Sequence, residues 1–463
     1  MIGSSEISVA RVTGDRGDRR SRTAIVVGAG IVGLSTAWFL QQRGVEVTVL
    51  DRDGVAAGAS GGNAGWIAPG LVALHEPAVL RYGLRSLIRP TVSRRGLATQ
   101  DPGWWGFLAQ VSANRRWSSW TRAVRRNRPL NDVCIDAFEV LTANGVDAST
   151  VEVPVVAAFR TMLQAETLLG VLDRLEEVEQ PVKHTGLFGQ ALRDEMPLAS
   201  RELNVAVRIE GQRYVEPEAF TRALARSVIA RGGEIQTEEV VDVRAHRGGV
   251  QVNAGSGSSL RADVAVIATG ALLSRLARHC GVLVPAQTSR GCSFTVAVDR
   301  PVPSPIYLPE ASVTCTPHPG GMRVAGMAEQ LDPNEAGVGT SVRGIIEVAR
   351  PLLEDVRWSE RGNIWVGAGP VTSDGRPMIG ATPVAGVYLA GGHDLWGFAH
   401  GPVTGRMLAE QIATGVQPEA LHAFDPLRSA VKWRVRRGES MEVGHAQQSR
   451  TRDVAQHSGS AGR

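Results

Sequence analysis

Two hydrophobic periodicities alternate along this chain of 463 residues. Residues 23–28, TAIVVG, form a continuous apolar run, the pattern of a parallel strand buried on both faces. Residues 31–43 then carry helical spacing, and VEVTVLD (45–51) reads as a second strand. The chain therefore opens on a strand–turn–helix–strand unit. The same grammar returns much later. EPEAFTRALARSVIARGGEI (216–235) puts Phe220, Leu224 and Val228 on one helical face, with Gly232 and Gly233 to stop it. Alternating strands over 240–252 lead to RADVAVIATGA (261–271), a buried strand ending in Thr-Gly. A third apolar strand, GVYLAGG (386–392), runs into a helix around 402–415.

Two stretches differ in character. Residues 101–205 are mostly helical in pattern and rich in Trp and Arg, while 286–330 alternates as antiparallel strands do (SFTVAV, RVAGMAE). The whole predicts an α/β chain, α+β overall, with a discontinuous nucleotide-binding domain over 23–100, 206–285 and 365–425. A substrate domain over 101–205 and 286–364 is inserted into it. Residues 1–22 and 431–463 are polar and read as disordered tails.

Composition narrows the function classes. The chain is 43% hydrophobic and 21% charged, enough for a large core and more than one domain. No apolar run is long enough to span a bilayer, and the first residues lack the apolar stretch of a signal peptide. Arg19 and Arg20 are followed by a glycine-punctuated segment that reads as a strand and turn rather than an export signal. Cys134, Cys280, Cys292 and Cys315 show neither paired nor metal-like spacing. No disulfide framework and no metal site is expected, and the cytoplasm is the expected compartment. The net charge is +4, but residues 1–22 hold five arginines against three acids and residues 426–463 hold eight basic residues against three acids. The body between them is net negative, which argues against nucleic-acid binding. In the stretch 104–126, Trp104, Phe107, Leu108 and Val111 share a helix face and read as core. The arginines opposite offer a second reading, peripheral contact with the inner face of a membrane or with a redox partner.

The clearest chemical signal is GAGIVG. Gly28 permits a tight turn, and Gly30 lets the backbone of Ala29, Ile31 and Val32 approach a pyrophosphate at the helix N-terminus. Gly33 permits close helix–strand packing. Asp51, followed by Arg52, ends the second strand eighteen residues after Gly33, where a carboxylate accepts from ribose hydroxyls. This fingerprint does not separate NAD from FAD. Three further segments favour FAD. ASGGNAGW (59–66) sets Ser60, Asn63, Ala64 and Gly65 where backbone packs against a ribityl chain and a flavin edge. Thr269 and Gly270 end a later strand. GGHDLWGFAHGPVTG (391–405), with Gly392, His393, Trp396 and Gly397, aims helix N-terminal N–H groups at the N1–C2=O side of a reduced flavin. A plain strand–helix turn is the other reading of that last segment.

These segments together resemble the D-amino-acid oxidase superfamily of FAD enzymes, closest to bacterial D-amino-acid dehydrogenase small subunits, with glycine oxidase and sarcosine oxidase as relatives. The resemblance covers about 23–420 and is carried by VVGAGIVGLSTAWFLQQRGVEVTVLDRD, GGNAGWIAPG, RYVEPEAFTRALARSVIARGGEI with EVVDV, ADVAVIATGA, RVAGMAE, PVTSDGRPMIG and the 391–405 segment. It implies a glutathione-reductase-like Rossmann FAD domain with an antiparallel-sheet substrate domain. It brings Val240 against the adenine and places Gly367 beside the flavin. One departure stands out. Where the family reads Gly-Leu-Arg-Pro, with the arginine clamping the substrate carboxylate, this chain reads GAGP, with Gly369 in the arginine's place. Either another cation replaces that arginine, with Arg323, Arg376 and Arg290 as candidates, or the substrate lacks that carboxylate. His393 and His400 flank Trp396 as flavin-side or substrate-side contacts.

The implied activity is hydride removal from a carbon bearing an amine, giving an imine that hydrolyses to a keto acid or aldehyde. The substrate is a small amine or amino acid and the electron acceptor is oxygen or a quinone. A secondary or cyclic amine, a biosynthetic tailoring step, a catalytically silent FAD scaffold and an NAD-dependent dehydrogenase are the alternatives.

Overall fold

The computed structural model describes residues 22–74, 117–282, 286–327, 338–372 and 374–428. Those up to Leu427 belong to one compact unit. The expected tails, apart from Arg22, lie outside these residues, as do Trp104, Phe107, Leu108 and Val111.

The opening unit forms as its pattern dictates. Thr23–Val27 and Glu46–Asp51 are parallel neighbours joined through the helix Ile31–Gln42, here called the fingerprint helix. They lie inside a six-stranded sheet ordered Met378–Ala381, Val387–Gly391, Val264–Ile267, Thr23–Val27, Glu46–Asp51, Glu234–Thr237. Every neighbouring pair is parallel except the first. Buried strands of this kind need cover on both faces. The fingerprint helix is accordingly apolar nearly all round, with Leu34, Ala37, Trp38, Phe39 and Leu40 buried. The helix Gly397–Thr414, here the closing helix, packs tightly on it. A Cβ on Gly405 would lie 2.6 Å from the backbone nitrogen of Thr36, and one on Gly401 would lie 3.0 Å from Ile31 Cγ1. Phe398 of the closing helix, Phe138 and Phe220 form an aromatic cluster, with the Phe138 and Phe220 centroids 5.0 Å apart.

A second sheet of eight strands runs Val356–Thr372, Ala286–Val298, Gly321–Met327, Val313–His318, Ile306–Leu308, Val155–Phe159, Val205–Ile209, His184–Phe188. It is antiparallel except where Ile306–Leu308 lies parallel to Val155–Phe159. Its own core holds Phe294, Val324, Met322, Leu308 and Trp358.

The structure differs from the expectation in three places. Residues 117–205 do carry helices at Trp117–Asn131, Cys134–Ala143, Met162–Glu177 and Gly189–Glu195. Yet Val155–Phe159, His184–Phe188 and Val205–Ile209 are strands of the second sheet. VVAAF is a short run buried throughout, which periodicity alone cannot distinguish from helix. The long strand Val356–Thr372 went unpredicted, because its mix of Arg, Gly, Ser and Asn masks any alternation. The helix expected around 402–415 begins five residues earlier, at Gly397, and holds Pro402 in its interior, where the ring removes one helical hydrogen bond. All four cysteines are free and buried. No helix among the described residues is long and apolar enough to cross a membrane.

Candidate functional site

Four adjacent parallel strands end at one edge of the six-stranded sheet, and four of the predicted cofactor segments follow or end them, whereas Gly367 lies within the strand Val356–Thr372 of the second sheet. Gly392, His393, Trp396 and Gly397 follow Val387–Gly391, and Thr269 with Gly270 follow Val264–Ile267. Gly28–Gly33 follow Thr23–Val27, and Asp51 ends Glu46–Asp51. Val240 begins the strand Val240–His246, just past Glu234–Thr237 at the same edge, and is buried. Ligands of open α/β sheets sit at such carboxyl edges.

The fingerprint turn is built as close approach requires. Gly28 has φ 119°, and a Cβ there would lie 2.4 Å from Ala268 O. Gly33 would bring a Cβ within 1.9 Å of Gly28 O. Asp51 Oδ2 accepts from Ala29 N at 2.8 Å, while its Oδ1 accepts from Asp53 N and Gly54 N at 2.9 and 3.0 Å. Arg52 pairs with Asp53 on the surface. Ser60 Oγ accepts from Ile31 N at 2.9 Å, at a helix start with no side-chain cap of its own and no acid in its first turn. Thr269 Oγ1 is buried and has no hydrogen-bond partner among the described residues. A glycine turn on a positive helix end, whose Ala29 and Ile31 N–H groups already donate to Asp51 and Ser60, and an unsatisfied hydroxyl after the next strand fit a pyrophosphate-bearing cofactor such as FAD.

The 59–66 loop is where the two sheets meet. The second sheet grips three of its carbonyls. Arg323 Nη2 donates to Gly61 O at 3.1 Å, Ser293 Oγ to Gly62 O at 2.7 Å and Thr316 Oγ1 to Ala64 O at 2.8 Å. Trp66 Nε1 donates to Thr316 Oγ1 at 2.8 Å, and Arg323 Nη2 also donates to Ser293 Oγ at 2.8 Å. Within the loop Asn63 Oδ1 accepts from Gly65 N at 2.8 Å. Gly65 has φ 81°, and a Cβ there would lie 2.1 Å from Val215 O. Trp365 lies across both sides of the seam: a Cβ on Gly62 would be 1.9 Å from its ring and one on Gly367 2.1 Å. Trp365, Ser293 and Thr316 are functional candidates that no sequence motif marks. Glycines at 62, 291 and 367 face the indole, and of these only Gly367 is near it in sequence.

The candidate cations lie in different settings. Arg323 is 5% exposed, its Nε has no hydrogen-bond partner among the described residues, and burial pulls its pKa down. Its partners at the loop are neutral oxygens. Arg376 donates through Nη1 to Ala423 O and through Nη2 to Asp374 Oδ2, both at 2.7 Å, tying its own turn to the C-terminal segment. Arg290 lies opposite Ala368, and Gly369 opposite Ser289, in the pairing of Ala286–Val298 with Val356–Thr372.

Two histidines sit on the closing segment. His393 Nε2 is 2.9 Å from Thr404 Oγ1, and His400 Nε2 is 2.9 Å from Asn131 Oδ1. Burial pushes His393 down to about 3, with neighbouring His400 adding to it, and burial pushes His400 down to about 4. Both are neutral at physiological pH. They can donate or accept hydrogen bonds beside the cofactor edge without adding charge. Among the described residues no group of three or more His, Cys, Asp or Glu side chains is placed to hold a metal.

Known proteins bear the same stamp. The family profile described as FAD dependent oxidoreductase, DAO, matches residues 23–411. A D-amino acid dehydrogenase from Methylobacterium nodulans is 29% identical over 424 residues, covering 86% of this chain and 96% of that protein. Glycine oxidase from Geobacillus kaustophilus superposes with a TM-score of 0.66 at 22% identity, over 88% of this chain and 99% of its own. Iminodiacetate oxidase from Chelativorans sp. BNC1 gives 0.64 at 18% identity, over 87% and 98%. These two likenesses speak to the fold.

Proposed function

The chain belongs to the DAO family of FAD-dependent oxidoreductases, and on that premise we propose that it oxidises the C–N bond of a small amine or amino acid. The observation that carries this reading is the meeting of the cofactor edge and the second sheet at the 59–66 loop. There a substrate held on the sheet by residues near Trp365 and Arg323 would face the flavin-side backbone of Asn63, Ala64 and Gly65. FAD, when bound, supplies the hydride acceptor. The protein orients the reacting carbon, excludes water and keeps the two imidazoles near the cofactor neutral. The substrate carbon loses a hydride and its nitrogen a proton, and the resulting imine is hydrolysed to a carbonyl and an amine or ammonia.

The D-amino acid dehydrogenase relative supports an amino-acid substrate. Gly369 supports weak handling of ordinary D-amino acids, because glycine cannot form a bidentate pair with a carboxylate. The test is anaerobic flavin bleaching of the purified holoenzyme with D-alanine, D-proline, glycine, sarcosine and simple amines. Bleaching by any of them is expected. An FAD-loaded protein that none of them reduces would leave a silent flavoprotein and overturn the reading. Acid precipitation in the same preparation should release the flavin, since cofactor attachment is expected to be non-covalent.

A further inference from the structure

Asp394 opens the turn Asp394–Trp396 after the strand Val387–Gly391, with φ 53°. Glycine takes that left-handed conformation freely, and aspartate takes it only against strain. The residue is partly exposed, yet its Oδ1 is shut off from solvent and has no hydrogen-bond partner among the described residues. Burial pushes the carboxyl up to about 6, while the Leu395 N–H pulls it part of the way back. No described cation pairs with it.

Its turn follows the strand Val387–Gly391 on the cofactor edge of the six-stranded sheet. The turn packs on the long strand Val356–Thr372, where Gly369 brings no charge of either sign. Trp396, two residues on, packs on the cluster built around Trp66, which Ala64, Tyr214 and Tyr307 also cover. A carboxylate oxygen removed from water without a donor is costly, so a working complex should supply one.

We propose that Asp394 holds a protonated nitrogen of the substrate, and that the substrate is a small amine carrying a second basic nitrogen. This rests on the amine-oxidation reading above. The nitrogen being oxidised must have its lone pair free as the hydride leaves, so a nitrogen that stays protonated on Asp394 is a different one. The aromatic faces around Trp66 suit the methylene stem that joins the two.

The test compares 1,4-diaminobutane with butylamine, which differ at the far end by one ammonium group, in anaerobic flavin reduction of the holoenzyme. The diamine should half-saturate at a concentration lower by about tenfold or more. Asp394→Asn and Asp394→Gly should bring that ratio towards one. The glycine variant suits the backbone conformation and guards against a folding defect. Equal half-saturation in the wild type, or a diamine preference that survives both variants, overturns the inference. If neither amine reduces the flavin, binding decides: the diamine must still perturb the flavin spectrum in an Asp394-dependent way, or the inference falls. The amine-oxidation reading itself falls only if the amino acids fail to reduce the flavin as well.

Discussion

Arg323 Nη2 donates to the carbonyl oxygen of Gly61 across 3.1 Å, so a side chain of the second sheet holds a loop that belongs to the cofactor edge. Removing the guanidinium with Arg323→Met should loosen that loop and weaken FAD retention. A hydrogen bond to a charged group is worth about 1.5–3 kcal/mol, or roughly tenfold to a hundredfold in affinity. Flavin lost on ultrafiltration measures it. Unchanged retention with a raised KM for amino acids would instead make Arg323 a substrate contact.

Asp51 joins the fingerprint turn to the end of its strand through Ala29 N. Asp51→Ala should release that turn and remove the proposed ribose acceptor together. FAD affinity should fall by about tenfold to a hundredfold, and the apoprotein should melt lower because the same carboxylate also caps Asp53 N and Gly54 N. Flavin retention equal to wild type would remove Asp51 from the site.

Acid should destabilise the protein through its buried imidazoles. His393 and His400 titrate near 3 and 4 when folded, against 6.5 ordinarily. The unfolded chain takes up protons below pH 6.5 that the folded one refuses, so their contribution is complete above 6.5 and drains away towards 4. At pH 5 each loses about 2 kcal/mol. Asp394 works the other way. Raised from 3.8 to about 6, it is protonated first in the folded state, returning about 1 kcal/mol over the same fall. The net loss from pH 7 to 5 is about 2–3 kcal/mol. Thermal melts across that range should show it, and His400→Gln should flatten the curve. A melting temperature constant to pH 5 would mean that the imidazoles are solvated.

Gly65 and Gly58 offer a paired test of backbone geometry in one loop. Gly65→Ala must hold φ near 81° and set a Cβ 2.1 Å from Val215 O, whereas a Cβ on Gly58 meets nothing within 4 Å. The first should cost about 1–3 kcal/mol and the second almost nothing. Comparable melting temperatures for the two variants would contradict the loop conformation.

Gly369→Arg puts a bidentate donor on the long strand. Half-saturation by D-alanine in flavin reduction should fall relative to the wild type, by about tenfold if the carboxylate is engaged. No change would mean that the position does not face the substrate.

Much of the cofactor edge is legible in the sequence. The run TAIVVG, the glycine triplet and Asp51 are local features, and local sterics dictate a buried strand, a tight turn and a helix start. Thr269 and His393 are legible as candidates because each follows an apolar strand of the same parallel type. What stayed hidden depends on partners far away in the chain. Trp365 has no signature of its own; it is defined by Gly62 some three hundred residues earlier. Arg323 and Ser293 become loop anchors only because the pairing of Gly321–Met327 with Ala286–Val298 turns them to one face. The neutrality of His400 comes from burial against Asn131, which no spacing rule reports. The strand VVAAF was lost for the opposite reason: five buried residues in a row carry no period to read.

The packing of Gly401 and Gly405 on the fingerprint helix also sets an order of events. During synthesis the strand Thr23–Val27 leaves the ribosome early, but its neighbour Val264–Ile267 follows only after more than half the chain, and the closing helix comes near the end. Until then the nascent dinucleotide turn has one side open and its helix half bare, an exposed apolar surface suited to chaperones. Cofactor capture is thereby deferred to the last stage of translation. A ribosome-stalled chain ending before Val387 should emerge without flavin, and bound colour would mark a molecule whose synthesis is finished.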